Sequence, residues 1–205
     1  MVGSAITSRG RPEALAAVRS PNVHLADQGR SGTAARVARQ PRGGEQCAYD
    51  LLARQQPVAT DLRILVTSLR MSADLERMGD LARHVAKVAR LRFPDAAVPA
   101  ELRGTITAMS EVAVGMTAKV GSIVTDRDVT GALELERDDD EMDRLHRTLF
   151  AAVLDGGWAH GVEAAIDVTL IGRYYERFAD HAVSIGRREV YLVTGERADE
   201  LTAAP

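Results

Sequence analysis

Three pairs of acidic residues are the part of this sequence whose types and spacing could do chemistry. The two carboxylates of each pair are four residues apart, at Glu76 and Asp80, at Glu176 and Asp180, and at Asp139 and Asp143. On a helix, side chains four apart lie one turn above the other on one face. Such carboxylates on neighbouring helices can converge on a hard cation, which binds oxygen ligands. Because like charges on one face repel, we expect either Arg side chains or metal ions to neutralise these pairs.

The first two pairs belong to an internal repeat with an offset of 100 residues. Residues 76–87 read ERMGDLARHVAK, and residues 176–187 read ERFADHAVSIGR. A fixed repeat usually indicates one supersecondary unit used twice, so we expect two helical bundles in tandem. An acidic run such as residues 134–143 is by itself more often a solvated helix face. The recurrence of the Glu-x-x-x-Asp spacing in both repeats is what favours a functional role, such as cation binding, over a solvated face for these pairs.

Helices must position these acids, and helical periodicity continues almost without interruption from Glu45. Proline, glycine and loop residues divide the chain into five predicted helical segments, 45–55, 57–92, 99–124, 128–155 and 160–194. No alternating run bounded by hairpin turns predicts a strand. The longer segments would form rods of roughly 40 to 55 Å, which pack as antiparallel bundles.

Apolar residues at helical spacing predict which face of each long helix packs against its neighbours. In segment 57–92 this stripe consists of Ile64, Met71, Leu75, Met78, Ala82, Val85 and Ala89. In segment 160–194 it consists of Ile171, Tyr174, Phe178, Ala182 and Ile185. In segment 128–155 it consists of Leu135, Met142, His146, Leu149 and Val153. The acid pairs of the repeat point away from their stripes, and the third pair lies at the edge of its stripe.

Composition limits the class of protein. The chain has 205 residues, of which 45% are hydrophobic and 27% charged, as is ordinary for a globular protein. Its single cysteine, Cys47, excludes an internal disulfide and a cysteine-rich zinc site. No apolar run approaches the roughly 18 residues of a membrane-spanning helix, and no signal peptide is recognisable. We therefore expect a cytoplasmic protein without direct membrane insertion.

The first 44 residues differ from the rest in charge. They contain seven Arg residues but only Glu13 and Asp27 as acids, whereas the whole chain has a net charge of -3. They are also rich in Gly, Ser and Pro, and we predict that this basic segment is largely disordered. No aromatic residue is present there to stack on a base, so a solvated tail is favoured over nucleic-acid binding.

Several separated motifs resemble the PhoU family, the accessory regulators of high-affinity phosphate transport. The motifs are QQPVATDLR at 55–63, DLERMGDLA at 74–82, YERFADHA at 175–182 and VTGE at 193–196. The resemblance implies two three-helix bundles in tandem, related by pseudo-twofold symmetry. It also implies metal clusters on Glu/Asp-x-x-x-Asp motifs, with iron or zinc as the expected metals and magnesium or manganese as further possibilities.

Carried over by position, the family motifs place one metal site in the second bundle and half of another in the first. The second site has all four acids, Glu176, Asp180, Asp139 and Asp143. In the first bundle Glu76 and Asp80 match, but their partner acids are absent from residues 1–44.

The unmatched start also predicts an uneven domain organisation. We expect a divergent segment at 1–44, a remnant of the first bundle at 45–94, an intact second three-helix bundle at 98–196 and a disordered tail at 197–205. An incomplete first bundle would leave apolar side chains of segment 57–92 partly uncovered. Burying each such side chain is worth about 1.5 to 3 kcal/mol, so the loss would matter to a small domain.

The resemblance implies a regulator rather than an enzyme. Such a protein would link the ATPase subunit of the phosphate ABC transporter to a phosphate-sensing histidine kinase and restrain the phosphate-starvation response. We also expect a homodimer, formed through exposed apolar helix faces. In agreement, the sequence contains no phosphate-binding G-x-x-x-x-G-K-[ST] loop, no G-x-S-x-G motif and no H-E-x-x-H motif.

Two alternatives remain open at this point. A metal-dependent oxidase of the carboxylate-bundle type would require Glu-x-x-His motifs, and Asp143-x-x-His146 is the nearest form in the chain. A purely structural helical adaptor would use its acids for no ligand. Metal content distinguishes the adaptor from the metal-binding regulator.

Overall fold

A computed structural model describes the backbone of residues 41–198 and the side chains of Gln46 and residues 48–198. The helices are α1 Pro41–Gln55, α2 Ala59–Leu91, α3 Arg103–Asp126, α4 Val129–Leu154 and α5 Gly161–Thr194. A short 3-10 turn, Ala100–Leu102, leads into α3. This range contains no strand, so the predicted all-α class is confirmed. None of its helices is long and apolar enough to cross a membrane.

The predicted segments agree with these helices to within a few residues. Helix α1 begins at Pro41, earlier than the predicted start, and α2 begins at Ala59 because Val58 is extended. Most of the predicted disordered head, residues 1–40, and most of the predicted tail, residues 199–205, lie outside the described residues, so for them the expectation stays a prediction. Within the described range, residues 41–44 belong to α1 and Ala198 is buried against the core, so there the expectation is wrong.

Local chemistry explains where α3 and α5 end and where α4 begins. Arg127 adopts a left-handed conformation with φ 56°, which ends α3. The Asp128 carboxylate then accepts a hydrogen bond from the Gly131 backbone N–H at 3.0 Å and caps α4. Gly195, with φ 83°, ends α5 as its position in the sequence predicts.

Helix α5 is the centre of the fold because it packs against α2, α3 and α4. Its side chains are buried around much of its circumference, as are apolar side chains of the other two helices of the second bundle. The fully buried set includes Met109, Met116 and Ile123 of α3, Leu135, Met142 and Leu149 of α4, and Val168, Ile185 and Val190 of α5. Helices α3, α4 and α5 thus form a three-helix bundle with a continuous apolar core.

The predicted stripes are largely confirmed. Ile171, Phe178, Ala182 and Ile185 of α5 are buried, and Tyr174 packs against the core. Ile64 of α2 is an error of the prediction, since its side chain is 38% exposed. Periodicity identifies a face of a helix but not how far along that face a neighbouring helix reaches.

Two glycines allow α4 and α5 to approach closely. A Cβ at Gly186 would lie 2.9 Å from Leu135 Cδ1 and 3.1 Å from the Ala132 carbonyl oxygen. A Cβ at Gly172 would lie 3.0 Å from a ring carbon of His146 and 3.1 Å from Leu149 Cδ1. The close approach of these helices is what brings the acids of α4 near those of α5.

The contact between α2 and α5 repeats itself with the offset of the sequence. Ser184 of α5 donates a hydrogen bond to Asp74 of α2 at 3.3 Å. In the repeat, His84 of α2 corresponds to Ser184, and Tyr174 of α5 corresponds to Asp74. These two residues are also in contact, since the centres of their rings lie 5.2 Å apart. The two helices therefore cross antiparallel with approximate twofold symmetry, as expected for a duplicated unit.

Replacing Gly186 by Ala is expected to lower the free energy of unfolding by about 1–3 kcal/mol, because the added methyl overpacks the α4–α5 contact. Gly115→Ala on α3 is the matched control, since its Cβ would meet nothing within 4 Å. That variant should be neutral or more stable by up to about 1 kcal/mol, through helix propensity alone. Urea unfolding measures both values, and equal effects at the two sites would contradict the packing argument.

Candidate metal centre

Helices α4 and α5 bring acids of different pairs together around Asp139. The pKa of Asp139 is raised to about 6, first by burial and then by the negative charges of Asp180, Asp143 and Asp140. The positive charge of Arg187 partly offsets this effect. Carboxylates that are distant in sequence thus lie close enough to repel each other, as the sequence analysis expects for these helices.

The remaining predicted ligand of this cluster, Glu176, lies beside a histidine. Glu176 Oε2 is 3.7 Å from His146 Nδ1, and the same carboxylate accepts a hydrogen bond from Arg173 one turn earlier on α5. His146 belongs to the predicted apolar stripe of α4, and most of its side chain is buried. Its ring therefore lies at the boundary between the core and the acidic cluster.

Two buried atoms of this cluster have no hydrogen-bond partner among the described residues. They are Asp139 Oδ1 and His146 Nε2. Buried polar atoms are nearly always paired, with protein, water or an ion. Carboxylate oxygens and imidazole nitrogens are also donors that divalent metals accept, so the residues present fit a metal ion in chemical type.

The carboxylates do not stand in a ready-made coordination shell. Across the described part of the chain, no group of three or more His, Cys, Asp or Glu side chains is arranged to hold a metal ion. The Glu176 carboxylate is instead turned to Arg173. A metal between α4 and α5 would thus require these side chains to change rotamer.

Two further acid pairs with the same spacing show what neutralises such carboxylates in this fold. Lys119 of α3 places Nζ 2.8 Å from Asp138 and 3.8 Å from Glu134 of α4. Arg92, just after α2, donates to Asp167 and lies 2.9 Å from Glu163 of α5. In both cases a basic side chain from another part of the fold bridges the pair. Basic side chains can therefore neutralise carboxylates at this spacing in this fold, and the expectation for the three predicted pairs stays a prediction.

The first-bundle pair has a different environment. Glu76 is exposed on α2, and Asp80 is partly exposed and accepts a hydrogen bond from Arg83 of the same helix. The segment in which the family motif would place its partner acids lies mainly outside the described residues. The metal assignment of Glu76 and Asp80 therefore stays a prediction.

Sequence reasoning missed the most connected acid of the structure. Asp74 of α2 is buried and binds three side chains of α5: His181 at 3.0 Å, Ser184 at 3.3 Å and Arg188 at 2.9 Å. A signal was available, because Asp74 lies between Met71 and Met78 on the predicted packing face. A carboxylate on such a face must find partners on the helix it packs against.

Replacing Asp74 by Ala is expected to lower the free energy of unfolding by about 1–3 kcal/mol, because Arg188 and His181 lose a buried acceptor. Asp126→Ala provides the control, since Asp126 is exposed in the last turn of α3. A negative charge there opposes the helix dipole, so its removal should be neutral or slightly stabilising. The two variants are compared by urea unfolding, and a loss no larger for Asp74 than for Asp126 would refute this role.

Replacing Asp139 by Asn is expected to stabilise the metal-free protein at neutral pH but not at about pH 4. The pKa of Asp139 is raised in the folded protein from an ordinary 3.8 to about 6, so the folded state holds this proton more tightly than the unfolded chain. The free energy of unfolding therefore falls as the pH rises from about 4 to about 6, and this loss stays complete at higher pH. The Asn side chain carries no charge and therefore removes this loss of stability.

Urea unfolding at a series of pH values, with a chelator present, measures this difference. The exposed Asp126 serves again as control, and Asp126→Asn should show no comparable pH-dependent gain. If the free energy of unfolding of Asp139→Asn differs from that of the parent protein by a constant amount over this pH range, then repulsion and burial do not act on Asp139.

Comparison with known families finds the PhoU domain twice in this chain, at residues 13–89 and 106–188. The two matches agree with the internal repeat. The first begins at residue 13, so the family match extends over most of the segment 1–44 that we expected to be unmatched.

The curated relatives and the solved structures are named PhoU or PhoU homolog. The chain is 49% identical over 151 residues to phosphate-specific transport system accessory protein PhoU homolog 2 of Mycobacterium tuberculosis, covering 74% of this chain and 71% of that protein. It is 45% identical over 167 residues to PhoU homolog 1 of Mycobacterium leprae, covering 82% and 75%.

Two crystal structures share the fold. The phosphate transport system regulatory protein PhoU from Streptococcus pneumoniae superposes with a TM-score of 0.74 at 24% identity, covering 91% of this chain and 87% of that one. PhoU from Pseudomonas aeruginosa gives 0.72 at 22% identity, covering 95% and 91%. At this identity the superposition shows the fold alone.

Proposed function

This chain belongs to the PhoU family, and we propose that it is a regulatory accessory protein of phosphate transport. It couples the ATPase subunit of a phosphate ABC transporter to a phosphate-sensing histidine kinase and thereby restrains the phosphate-starvation response. It acts in the cytoplasm, as a homodimer, through contacts between protein surfaces rather than by catalysis.

The observation that carries this proposal is the match to the PhoU domain in both halves of the repeat, together with relatives whose names describe accessory proteins of phosphate-specific transport. The relatives align over more than two thirds of their own length, so the likeness extends beyond a shared local motif. Fold alone would be weak support, because one fold can serve many functions.

The proposal includes a metal ion between α4 and α5, held by Asp139, Asp143, Glu176 and Asp180. Iron or zinc is the expected metal, with magnesium or manganese as further candidates. When bound, the ion supplies positive charge to acids that otherwise repel. Asp139 and Asp143 of α4 and the two acids of α5 would hold the ion, so it would tie these helices together. Asn at positions 139 and 143 is expected to remove the bound metal.

Deletion of the gene from its source organism is expected to raise expression of phosphate-starvation genes at high external phosphate, because the kinase loses its restraint. Transcript levels of a starvation-induced gene measure this. Expression of the intact chain should restore repression, and so should the Gly115→Ala variant, whose change touches open space.

Affinity purification of the tagged chain supplies the second measurement. The transporter ATPase and the histidine kinase are both expected to co-purify with it. Unchanged transcript levels after deletion, with neither protein recovered, would rule out the regulatory proposal.

A further inference from the structure

We propose that a second copy of this chain binds to an exposed apolar patch at one end of the α4–α5 pair, with the two copies related by a twofold axis. The inference rests on the homodimer of the proposed function and names the surface that forms it. The apolar patch consists of Phe150 and Leu154 of α4 and of Val162, Ile166 and Leu170 of α5.

The side chains of the apolar patch are exposed although they are large and hydrophobic. The exposed fraction reaches 76% at Val162 and 78% at Leu154. Val162, Ile166 and Leu170 follow one another at steps of four residues, so they form one stripe along α5. Contiguous apolar surface, unlike a single exposed apolar residue, indicates an interaction site.

The α4 and α5 parts of the apolar patch lie side by side. The two helices are antiparallel, and Gly172 of α5 lies against the turn of α4 that precedes Phe150. Moving from this contact towards the α4–α5 loop, the residue numbers rise on α4 and fall on α5. Phe150 is thus level with Leu170, and Leu154 is level with Ile166.

An exposed ion pair identifies the face on which both parts of the apolar patch lie. Arg187 of α5 donates a hydrogen bond to Glu136 of α4 at 2.8 Å. Phe150 lies two steps of seven residues after Glu136, and Ile166 lies three such steps before Arg187. Seven residues make nearly two helical turns, so these side chains point to the same side of the α4–α5 pair. The two parts therefore form one surface.

Charged residues flank the apolar patch in the same order on both helices. On α5, Glu163 lies at the end of the stripe nearest the α4–α5 loop, and Arg173 lies beyond its other end. On α4, Asp155 lies on the loop side of the apolar residues, and Arg147 lies on their other side. All four flanking residues are exposed. Each helix thus has an acid near the loop, then apolar residues, then a base.

This order is complementary to itself when two copies meet antiparallel. With the twofold axis midway between Ile166 and Leu170, each of these residues lies against the other one of the second copy. Glu163 then faces Arg173 of the second copy, because the two residues are equally far from the axis in opposite directions. The pair forms twice, since a twofold interface uses the same surface on both copies.

The two charged side chains remain accessible to a second copy. Glu163 is 2.9 Å from Arg92 of its own chain, yet 83% of its side chain is exposed. Arg173 pairs with Glu176, and 50% of its side chain is exposed. Opposite charges placed around an apolar centre fix the orientation of two partners and disfavour other arrangements.

The first half of the repeat does not present the same stripe, so the stripe is not a requirement of the fold. Leu62 and Val66 of α2 correspond to Val162 and Ile166 and are exposed as well. At the third position, however, exposed Arg70 corresponds to Leu170. Val66 therefore provides a matched control position outside the proposed interface.

The charges near the loop favour a second copy over an anionic membrane. Glu163 and Asp155 lie on the loop side of the apolar patch, which is the part that would reach the lipid headgroups first. Acidic side chains are repelled by anionic lipid, whereas a second copy brings Arg173 to Glu163.

Sedimentation equilibrium of the full chain measures the dissociation constant of the dimer. Ile166→Asp is expected to raise this constant at least about tenfold, because it places a charge near the centre of the interface in both copies. Val66→Asp makes the same change at the equivalent position of the repeat and is expected to leave the constant unchanged. Circular dichroism verifies that both variants are folded.

A charge exchange tests the orientation independently of the apolar centre. Glu163→Arg and Arg173→Glu should each weaken the dimer, because each places like charges opposite one another twice. The chain with both substitutions should dimerise more tightly than either single variant, since opposite charges face each other again.

The outcomes distinguish failure of this surface from failure of the homodimer. A parent chain that stays monomeric at all concentrations would overturn the homodimer and, with it, this inference. A dimer that survives Ile166→Asp, or a charge exchange without recovery, would refute the proposed surface and leave the homodimer standing. If Ile166→Asp dimerises like the parent but no longer co-purifies the transporter ATPase or the histidine kinase, that protein and not a second copy occupies the apolar patch.

Discussion

The packing of α5 on two sides at once is the constraint on which the rest of this structure depends. On one side α5 crosses α2, and on the other it closes the bundle with α3 and α4. Polar residues on the packed faces of a helix in this position must be paired or grouped. Where α5 crosses α2, Asp74 of α2 binds His181, Ser184 and Arg188 of α5 and so pairs these polar residues. At the α4 contact, glycines at 172 and 186 provide the necessary space.

The same close packing creates the electrostatic problem of the acidic cluster. Carboxylates one turn apart on an exposed helix repel only weakly, because water screens them. When two such helices lie against each other, the charges of both helices add, and burial removes part of the screening. The raised pKa of Asp139 is the result. In this fold, Lys119 and Arg92 each relieve such repulsion by bridging a pair of acids, and the metal ion that we propose would relieve it between α4 and α5.

Much of this arrangement could be predicted from the sequence, for physical reasons that also explain what could not. Helix ends followed from local rules, as Gly195 shows, and the faces of α4 and α5 followed from the spacing of their apolar residues. The proximity of Asp139 to Asp180 was implied by the resemblance to the PhoU family, which makes the acids of their two helices partners. Pairing of side chains across helices could not be predicted, because it depends on the register of one helix against the other. Neither the partners of Asp74 nor the bridge made by Arg92 follows from the spacing of residues alone. Ile64 was misassigned because its environment depends on where a neighbouring helix ends.

A duplicated unit need not keep both copies of its chemistry. The α2–α5 crossing retains its approximate symmetry, since the contact of Asp74 with Ser184 recurs in position as that of Tyr174 with His84. Packing of this kind depends on both copies at once, and a change in either one weakens the contact. An acid pair facing solvent is under no such constraint, because any cation that reaches it removes the repulsion. Side chains at the crossing are therefore held by mutual packing, whereas an exposed acid such as Glu76 is not part of the core and is under no such constraint. The contacts that the fold requires thus keep the symmetry of the duplicated unit, and acids that face solvent do not need to keep it.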